Sequence, residues 1–95
     1  MDLNAAYALD PQVSLRPEPF GALAYHFGNR RLSFLRSPEI VAVVRSLDDS
    51  ANVADALEAN HIDRRRWPSF TAALATLESS DMIHRAAPAE ATDVA

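Results

Sequence analysis

The stretch "HFGNRRLSFLRSPEI", His26 to Ile40, holds a tight turn, a short alternating strand and a helix start in immediate succession. Gly28-Asn29 suits a two-residue type II′ hairpin turn, because glycine at the first central position tolerates a positive φ. The return strand, Arg30–Leu35, alternates its side chains, and we expect Leu32 and Phe34 to lie in the core. A strand at the border of a small sheet must be either covered or available for pairing.

A helix is predicted directly after this strand. Ser37-Pro38-Glu39 supplies a capping hydroxyl, a proline in the first turn and an acid at the positive end of the helix dipole. A second, short helix is predicted at about residues 52–60. The last helix should begin near Trp67, because Pro68 fits only a first turn, with Arg64–Arg66 in the turn before it.

Two further strands are predicted upstream, Gln12–Arg16 and Gly21–Phe27, since both segments alternate with a period of two. The element order β-β-β-α-α-α predicts an α+β fold, in which a three-stranded antiparallel sheet is followed by three helices. We expect a loose N-terminal arm over residues 1–11, one domain over residues 12–85, and a disordered tail over residues 86–95.

Composition limits the possible functions. The chain has 95 residues, of which 48% are hydrophobic and 23% are charged, as expected for one small globular domain. There is no cysteine, which excludes disulfides and thiolate metal sites. The N-terminal residues Met1–Ala6 lack the basic start and the apolar run of a secretion signal, and no apolar stretch approaches the ~20 residues that a membrane span needs. We therefore expect a cytoplasmic protein without a membrane partner.

No catalytic or cofactor pattern is present. The histidines His26, His61 and His84 fall in three separate elements without the spacing of metal ligands, so no metal site is expected. With two glycines in all, neither a phosphate-binding loop nor a dinucleotide fingerprint is possible. We predict that the protein is not an enzyme and requires no cofactor.

The strand Arg30–Leu35 carries the strongest functional signal. Sequential strands usually lie side by side, so the first and third strands should form the sheet edges. Arg16 and two prolines blunt the first, whereas the third keeps all its backbone donors and acceptors. Its arginines are consistent with simple protection of an edge, or with β-augmentation by an extended peptide. The run Arg64–Arg66 is similarly open to two interpretations, a solvated face or a contact with a negatively charged partner.

The segment "YALDPQVSLRPEPFGALAYHFGNRRLSFLRSPEIVAVVRSLD", Tyr7–Asp48, and the helix end Leu77–Ile83 resemble the PqqD-like RiPP recognition elements, and within them the mycofactocin precursor-peptide chaperones. The resemblance implies a winged-helix-like domain without enzymatic activity. Such a domain binds the leader of a ribosomally made precursor peptide and presents it to a radical SAM maturase. In the family the leader adds a strand beside the third strand, against the last helix. Transferred to this chain, the peptide-binding residues would be Arg30, Arg31, Leu32, Ser33, Phe34, Leu35, Arg64, Arg65, Trp67, Thr71, Leu74 and Glu78.

Two other classes of protein remain open at this stage. A winged-helix nucleic-acid binder would use Arg64–Arg66, but the net charge of -4 and the absence of lysine argue against it. A dimerisation module would pair two copies through the same edge strand. We expect a monomer or weak dimer that binds no nucleic acid.

Overall fold

The computed structural model describes residues 1–86, and the predicted tail lies outside these residues apart from Ala86. Within residues 1–86, five strands and three helices follow one another. They are β1 (Tyr7–Leu9), β2 (Val13–Glu18), β3 (Gly21–His26), β4 (Leu32–Leu35), α1 (Pro38–Ser46), α2 (Val53–Ala59), α3 (Trp67–Ser79) and β5 (Ile83–Arg85). Two 3₁₀ turns, Leu47–Asp49 and Arg64–Arg66, precede α2 and α3. The predicted α+β class is confirmed, with its three-stranded antiparallel sheet and three helices.

The main sheet has the order β2-β3-β4 and is antiparallel throughout. β2 continues through Pro17, where the sequence had predicted a stop. The amide of Phe27 donates to the carbonyl of Gln12 at 2.9 Å, which fixes the alternation of the β2–β3 ladder. Pro17 therefore lies at a position whose nitrogen faces away from β3, and its missing hydrogen removes no ladder bond.

The β3–β4 turn differs from the predicted two-residue type II′ turn. The amide of His26 donates to the carbonyl of Arg31 at 3.0 Å, so four residues, Phe27–Arg30, form the loop. The positive φ of 63° falls on Arg30 and not on Gly28. His26 explains the difference, because its Nδ1 accepts the amides of Gly28 and Asn29 at 3.0 and 3.1 Å and holds both residues in the turn.

Local signals place the helix starts where the sequence predicts them. Ser37 Oγ accepts the amide of Ile40 at 3.2 Å and caps α1, with Pro38 as its first residue. Asn52 Oδ1 caps α2 through the amide of Asp55 at 2.8 Å. α3 begins at Trp67, directly after the 3₁₀ turn of the three arginines.

The helices cover the face of the sheet that carries Ala22 and Ala24, which are 0% and 1% exposed. The prediction that Leu32 and Phe34 lie in the core is wrong, since they are 55% and 52% exposed on the opposite face. Both faces of β3 and β4 are apolar, so alternation alone could not choose between them. The small alanines allow the helices to approach the sheet, and Leu35 is the β4 side chain that enters the core, at 2% exposure.

The N-terminal segment is not the loose arm that the sequence predicted. β1 pairs with β5 in a separate two-stranded antiparallel sheet, with Ala8 opposite His84. Tyr7 is buried against the core. The arm shows no alternation of polar and apolar residues because only three of its residues form a strand. The partner of that strand, β5, comes at the end of the domain in the sequence.

Candidate functional site

A groove of about 570 Å³ lies between β4 and α3, open to solvent beside the edge of the main sheet. Its floor is apolar and comes from four buried side chains, Leu35, Ile40, Phe70 and Leu77. Its remaining lining residues are Leu32, Ser33, Phe34, Arg36, Ser37, Arg66, Ser69, Ala73 and Thr76. The groove is thus an apolar trough whose rim combines small, polar and basic residues with the exposed side chains of Leu32 and Phe34.

A side-chain hydrogen bond joins the two walls at one end of the groove, and two arginines mark the other end. At one end, Asn29 Nδ2 donates to the carbonyl of Ser80 at 3.2 Å, which ties the β3–β4 loop to the residue after α3. At the other end, Arg36 and Arg66 both line the groove, one directly after β4 and one directly before α3. The strand and the helix therefore run in opposite directions along the groove.

β4 presents an open backbone edge to the groove. Within residues 1–86 it pairs with β3 on one side only. The bond between His26 and Arg31 sets the ladder, so Ser33 and Leu35 face β3 and the amides and carbonyls of Leu32 and Phe34 face outward. Two residues thus offer two donors and two acceptors at the border of an apolar trough.

A charged pair closes the basic end of the groove. Arg66 donates from both terminal nitrogens to Glu39, at 2.8 and 2.6 Å, and its guanidinium lies 5.2 Å from the centre of the Phe70 ring. The hydrogen bond from Arg66 lowers the pKa of Glu39, and the same bond raises the pKa of Arg66. Arg36 lies 5.6 Å over the Phe34 ring and has no carboxylate partner among residues 1–86. Arg36 is therefore the cation left available to a ligand.

The structure places only part of the predicted peptide-binding set at the groove. Leu32, Ser33, Phe34 and Leu35 line it, whereas Arg30 and Arg31 do not. On α3 the groove-facing residues are Ser69, Phe70, Ala73, Thr76 and Leu77, and the predicted Trp67, Thr71, Leu74 and Glu78 do not line the groove. Adjacent helix positions differ by about 100°, which separates the two sets.

The predicted residues outside the groove have other contacts. Trp67 and Leu74 are core residues, and Trp67 Nε1 donates to the carbonyl of Ile62 at 2.9 Å. Arg64 stacks on Trp67 at 4.7 Å, and Arg65 lies 3.6 Å from Asp63 in solvent. The sequence did contain a signal for the groove-facing side of α3, because Phe70 and Leu77 share that side with the small residues Ser69, Ala73 and Thr76, which leave space beside them.

Two histidines that are distant in sequence converge on Asp10. His84 Nε2 donates to Asp10 Oδ2 at 2.6 Å, and His26 Nε2 lies 3.6 Å from the same oxygen. The hydrogen bond from the amide of Gln12 is the main cause that lowers the pKa of Asp10, and the bond from His84 lowers it further against the opposing effect of burial. Across residues 1–86 no group of three acidic, His or Cys side chains has the arrangement of a metal site. The cluster joins the end of β3 to β5 through Asp10 in the β1–β2 connection.

Comparison with known proteins identifies the family. Residues 6–84 match the model of the Peptide chaperone MftB family. The chain belongs to this family. It is 46% identical over 82 residues to "Peptide chaperone MftB" of Mycobacterium ulcerans (strain Agy99), covering 86% of this chain and 75% of that protein. Identity to the same-named proteins of Mycobacterium tuberculosis (strain ATCC 25618 / H37Rv) and Mycolicibacterium smegmatis (strain ATCC 700084 / mc(2)155) is 43%, again over 86% of this chain and over 75% and 80% of those proteins.

Membership of the MftB family confirms the resemblance noted in the sequence. A peptide chaperone has a non-catalytic role, so the prediction that this chain is not an enzyme agrees with its family. No solved structure matches the chain significantly. Among the helices of residues 1–86, none is both long and apolar enough to cross a bilayer.

Proposed function

We propose that this MftB-family member binds the leader of a ribosomally made precursor peptide as an added strand on β4 and presents it to a radical SAM maturase in mycofactocin biosynthesis. The observation that carries the proposal is the open edge of β4 beside the apolar groove. Peptides bind to such edges through main-chain hydrogen bonds, while nearby pockets select their side chains. We place this activity in the cytoplasm, where ribosomal products are made.

The ladder of β4 specifies how a guest strand would lie. Leu32 and Phe34 would exchange hydrogen bonds with it, because their backbone groups face outward. Guest side chains opposite Ser33 and Leu35 would point into the groove, onto its buried apolar floor. The intervening guest side chains would lie beside Leu32 and Phe34 on the other face of the sheet.

Backbone pairing alone would give weak binding. Each hydrogen bond contributes about 0.5–1.5 kcal/mol net, so four bonds contribute roughly 4 kcal/mol. Even before the entropic cost of association is subtracted, this corresponds to a Kd no tighter than about 1 mM. Burial of one leucine- or phenylalanine-sized side chain adds about 1.5–3 kcal/mol. The leader should therefore carry apolar residues at two alternating positions, which fill the trough above Phe70 and Leu77.

The proposed contact residues follow the groove. Leu32–Leu35 are kept from the sequence prediction, and Arg36, Arg66, Ser69, Phe70, Ala73, Thr76 and Leu77 replace the predicted positions on and before α3. The arginine run gives little support to the nucleic-acid alternative. Arg66 is bound to Glu39 and Arg64 stacks on Trp67, so the run does not form a continuous free cationic surface.

The test compares a backbone change with a side-chain change at one residue. Phe34→Pro removes an outward amide, whereas the matched control Phe34→Ala keeps it. We expect Phe34→Pro to bind a synthetic leader peptide at least tenfold more weakly than Phe34→Ala, because an unpaired buried group costs about 1–3 kcal/mol. Isothermal titration measures both affinities. Ser33→Pro is not a substitute, since the Ser33 amide belongs to the ladder with β3.

Leader peptides with single N-methylated amides test the same pairing without altering the protein. Alternate positions over about four to six leader residues should lose a factor of ten or more in affinity, with the intervening positions nearly unchanged. A flat profile, together with equal affinities for Phe34→Pro and Phe34→Ala, would exclude strand addition.

A further inference from the structure

The outer face of the main sheet, which points away from the helices, is unusually apolar. It carries six large side chains, Phe20, Leu23, Tyr25, Phe27, Leu32 and Phe34. Three of the four phenylalanines of the chain lie there, and Phe27 is 63% exposed. The rings form two edge-to-face pairs, Phe20 with Phe34 at 6.0 Å and Tyr25 with Phe27 at 5.0 Å. A contiguous exposed apolar surface of this kind marks an interaction site.

The groove does not account for this outer face. Phe20, Leu23, Tyr25 and Phe27 do not line the groove. Phe20 and Phe27 are 43% and 63% exposed, and Leu23 and Tyr25 are half-buried between them and β4. The fold does not need them either, because the core is complete on the alanine side of β3. Aromatic side chains left in water are concentrated on one face, where a partner could bury them.

The charges around the outer face indicate the chemistry of that partner. Arg16 and Arg36 lie at this face, and the Arg16 side chain is 78% exposed. The carboxylate on the face, Glu18, is bound by Arg16 at 3.2 Å. Arg16 and Glu18 form a neutral pair, so it is Arg36 that gives the margin of the apolar face a net positive charge, although the chain carries a net charge of -4. A complementary surface is apolar with carboxylates at its margin.

Charge also ranks the possible occupants. A second copy of the chain and an anionic membrane would both be repelled by the net charge of -4. A folded protein that is not strongly acidic overall, and that carries a few carboxylates beside an apolar patch, is not repelled in this way.

The outer face is continuous with the groove. Leu32, Phe34 and Arg36 line the groove and also a second depression, on the outer face, with Phe20 and Leu23. A strand added to β4 would extend the sheet and set alternate side chains beside Leu32 and Phe34. A protein docked on the outer face would thus lie against the bound leader.

From these observations we infer that the outer face is the docking surface for the maturase, which would bind it through an apolar patch rimmed by carboxylates. The inference rests on the proposed function, because it is the bound leader that gives the maturase a reason to dock there. Leader binding uses the β4 edge and the groove, and maturase binding uses chiefly Phe20, Leu23, Tyr25 and Phe27. Leu32, Phe34 and Arg36 lie at the border between the two surfaces.

The double substitution Phe20→Ser with Phe27→Ser separates the two partners. Both side chains are exposed and lie outside the groove lining, so the variant should fold and bind a synthetic leader within about twofold of the parent protein. Its affinity for the purified cognate maturase should fall tenfold or more, since buried aromatic anchors dominate interface energies. Biolayer interferometry measures both affinities, and thermal unfolding checks the fold. If the double variant does not fold, Phe27→Ser alone serves.

Charge reversal gives an independent measurement with a matched control. Arg16→Glu on the outer face should weaken maturase binding severalfold, whereas Arg45→Glu, an exposed change on α1, should leave it unchanged. Unaltered maturase affinity in the aromatic variants would overturn the inference. A folded variant that loses leader binding and maturase binding together would also contradict the inference. So would a variant that keeps maturase binding but loses self-association in sedimentation, or loses binding to anionic vesicles. A parent protein that binds the maturase but no leader would contradict the proposed function instead.

Discussion

At the scale of single residues, Gly21 determines how closely the end of β4 approaches the β2–β3 turn. Its φ is +152°, which is unfavourable for any residue with a side chain. A Cβ at this position would lie 2.1 Å from the carbonyl oxygen of Leu35 and 3.0 Å from the backbone of Ser37. Because these contacts are with backbone, they cannot be relieved by a rotamer change. Gly21 thereby positions the junction between β4 and α1, where the basic end of the groove begins.

We expect Gly21→Ala to lower the free energy of unfolding by about 2–3 kcal/mol or more, since the unfavourable φ alone costs of order 1–3 kcal/mol. Gly28→Ala is the comparison, because its closest contact would be the flexible end of the Gln12 side chain at 2.6 Å and its φ is not positive. Its loss should be clearly smaller, although His26 Cε1 at 2.8 Å must also move. Urea denaturation measures the free energy of unfolding of both variants. If the two variants lost the same amount of stability, the role given to Gly21 would be contradicted.

At the scale of elements, the N-terminal segment is a structural part of the domain. The carbonyls of Leu3 and Ala5 accept the first amides of α2, from Ala54 and Val53, at 3.1 Å each. On β1, the amide of Leu9 donates to Asp48 Oδ1 at 3.1 Å. The bonds from Val53 and Ala54 satisfy two amides that the start of α2 would otherwise leave without partners.

Tyr7→Ala should therefore lower the free energy of unfolding by about 3–5 kcal/mol, the usual cost of removing a buried aromatic side chain. Pro11→Ala is exposed and lies in the same predicted arm, so its effect should stay within about 0.5 kcal/mol. Chemical denaturation of the two variants measures the difference. If Tyr7→Ala were as mild as Pro11→Ala, the segment would behave as the sequence had suggested.

These elements also show what the sequence could predict. The starts of α1 and α3 were predicted correctly because Ser37, Pro38 and Pro68 act within one turn of chain. The inward face of β4 and the groove-facing side of α3 depend on which layers pack together. Where both faces of a strand are apolar, that choice is made by distant partners such as Ala22 and Ala24. Strand β1 was missed for a related reason, since its partner β5 is more than 70 residues away in the sequence, although the two strands are neighbours in the fold.

At the scale of the whole molecule, the chain has a net charge of -4 but presents at the groove an arginine without a carboxylate partner in the described part of the chain. Arg36 lines the groove without a carboxylate partner among residues 1–86, whereas the Arg65 side chain is 92% exposed and does not line it. An acidic leader would be repelled by the protein as a whole and attracted locally to Arg36. Leader binding should consequently respond to salt and to a single arginine.

We expect Arg36→Ala to weaken leader binding severalfold, because an exposed ion pair contributes about 0.2–1 kcal/mol and Arg36 also covers Phe34. Arg65→Ala, the matched control, should change the affinity by less than about twofold. The difference between the two variants should shrink as salt rises from about 50 to 300 mM, since the screening length falls below ~10 Å. Titration of each variant with the leader peptide at the two salt concentrations measures this difference. If the effect of Arg36→Ala were the same at both, Arg36 would not attract the leader electrostatically.

The outward backbone groups of Leu32 and Phe34 have a consequence for how such a protein and its guest change over evolutionary time. Amides and carbonyls are the same in every residue except proline, so most substitutions in the guest leave this part of the interaction intact. The gene for the leader could then accumulate changes at most positions, provided that proline is avoided and two apolar residues keep their spacing. One such domain could also accept leaders from a neighbouring strain whose sequences have diverged. If the leader does bind as an added strand, an unrelated extended peptide that carries such an apolar pair should bind the groove measurably better than one without it.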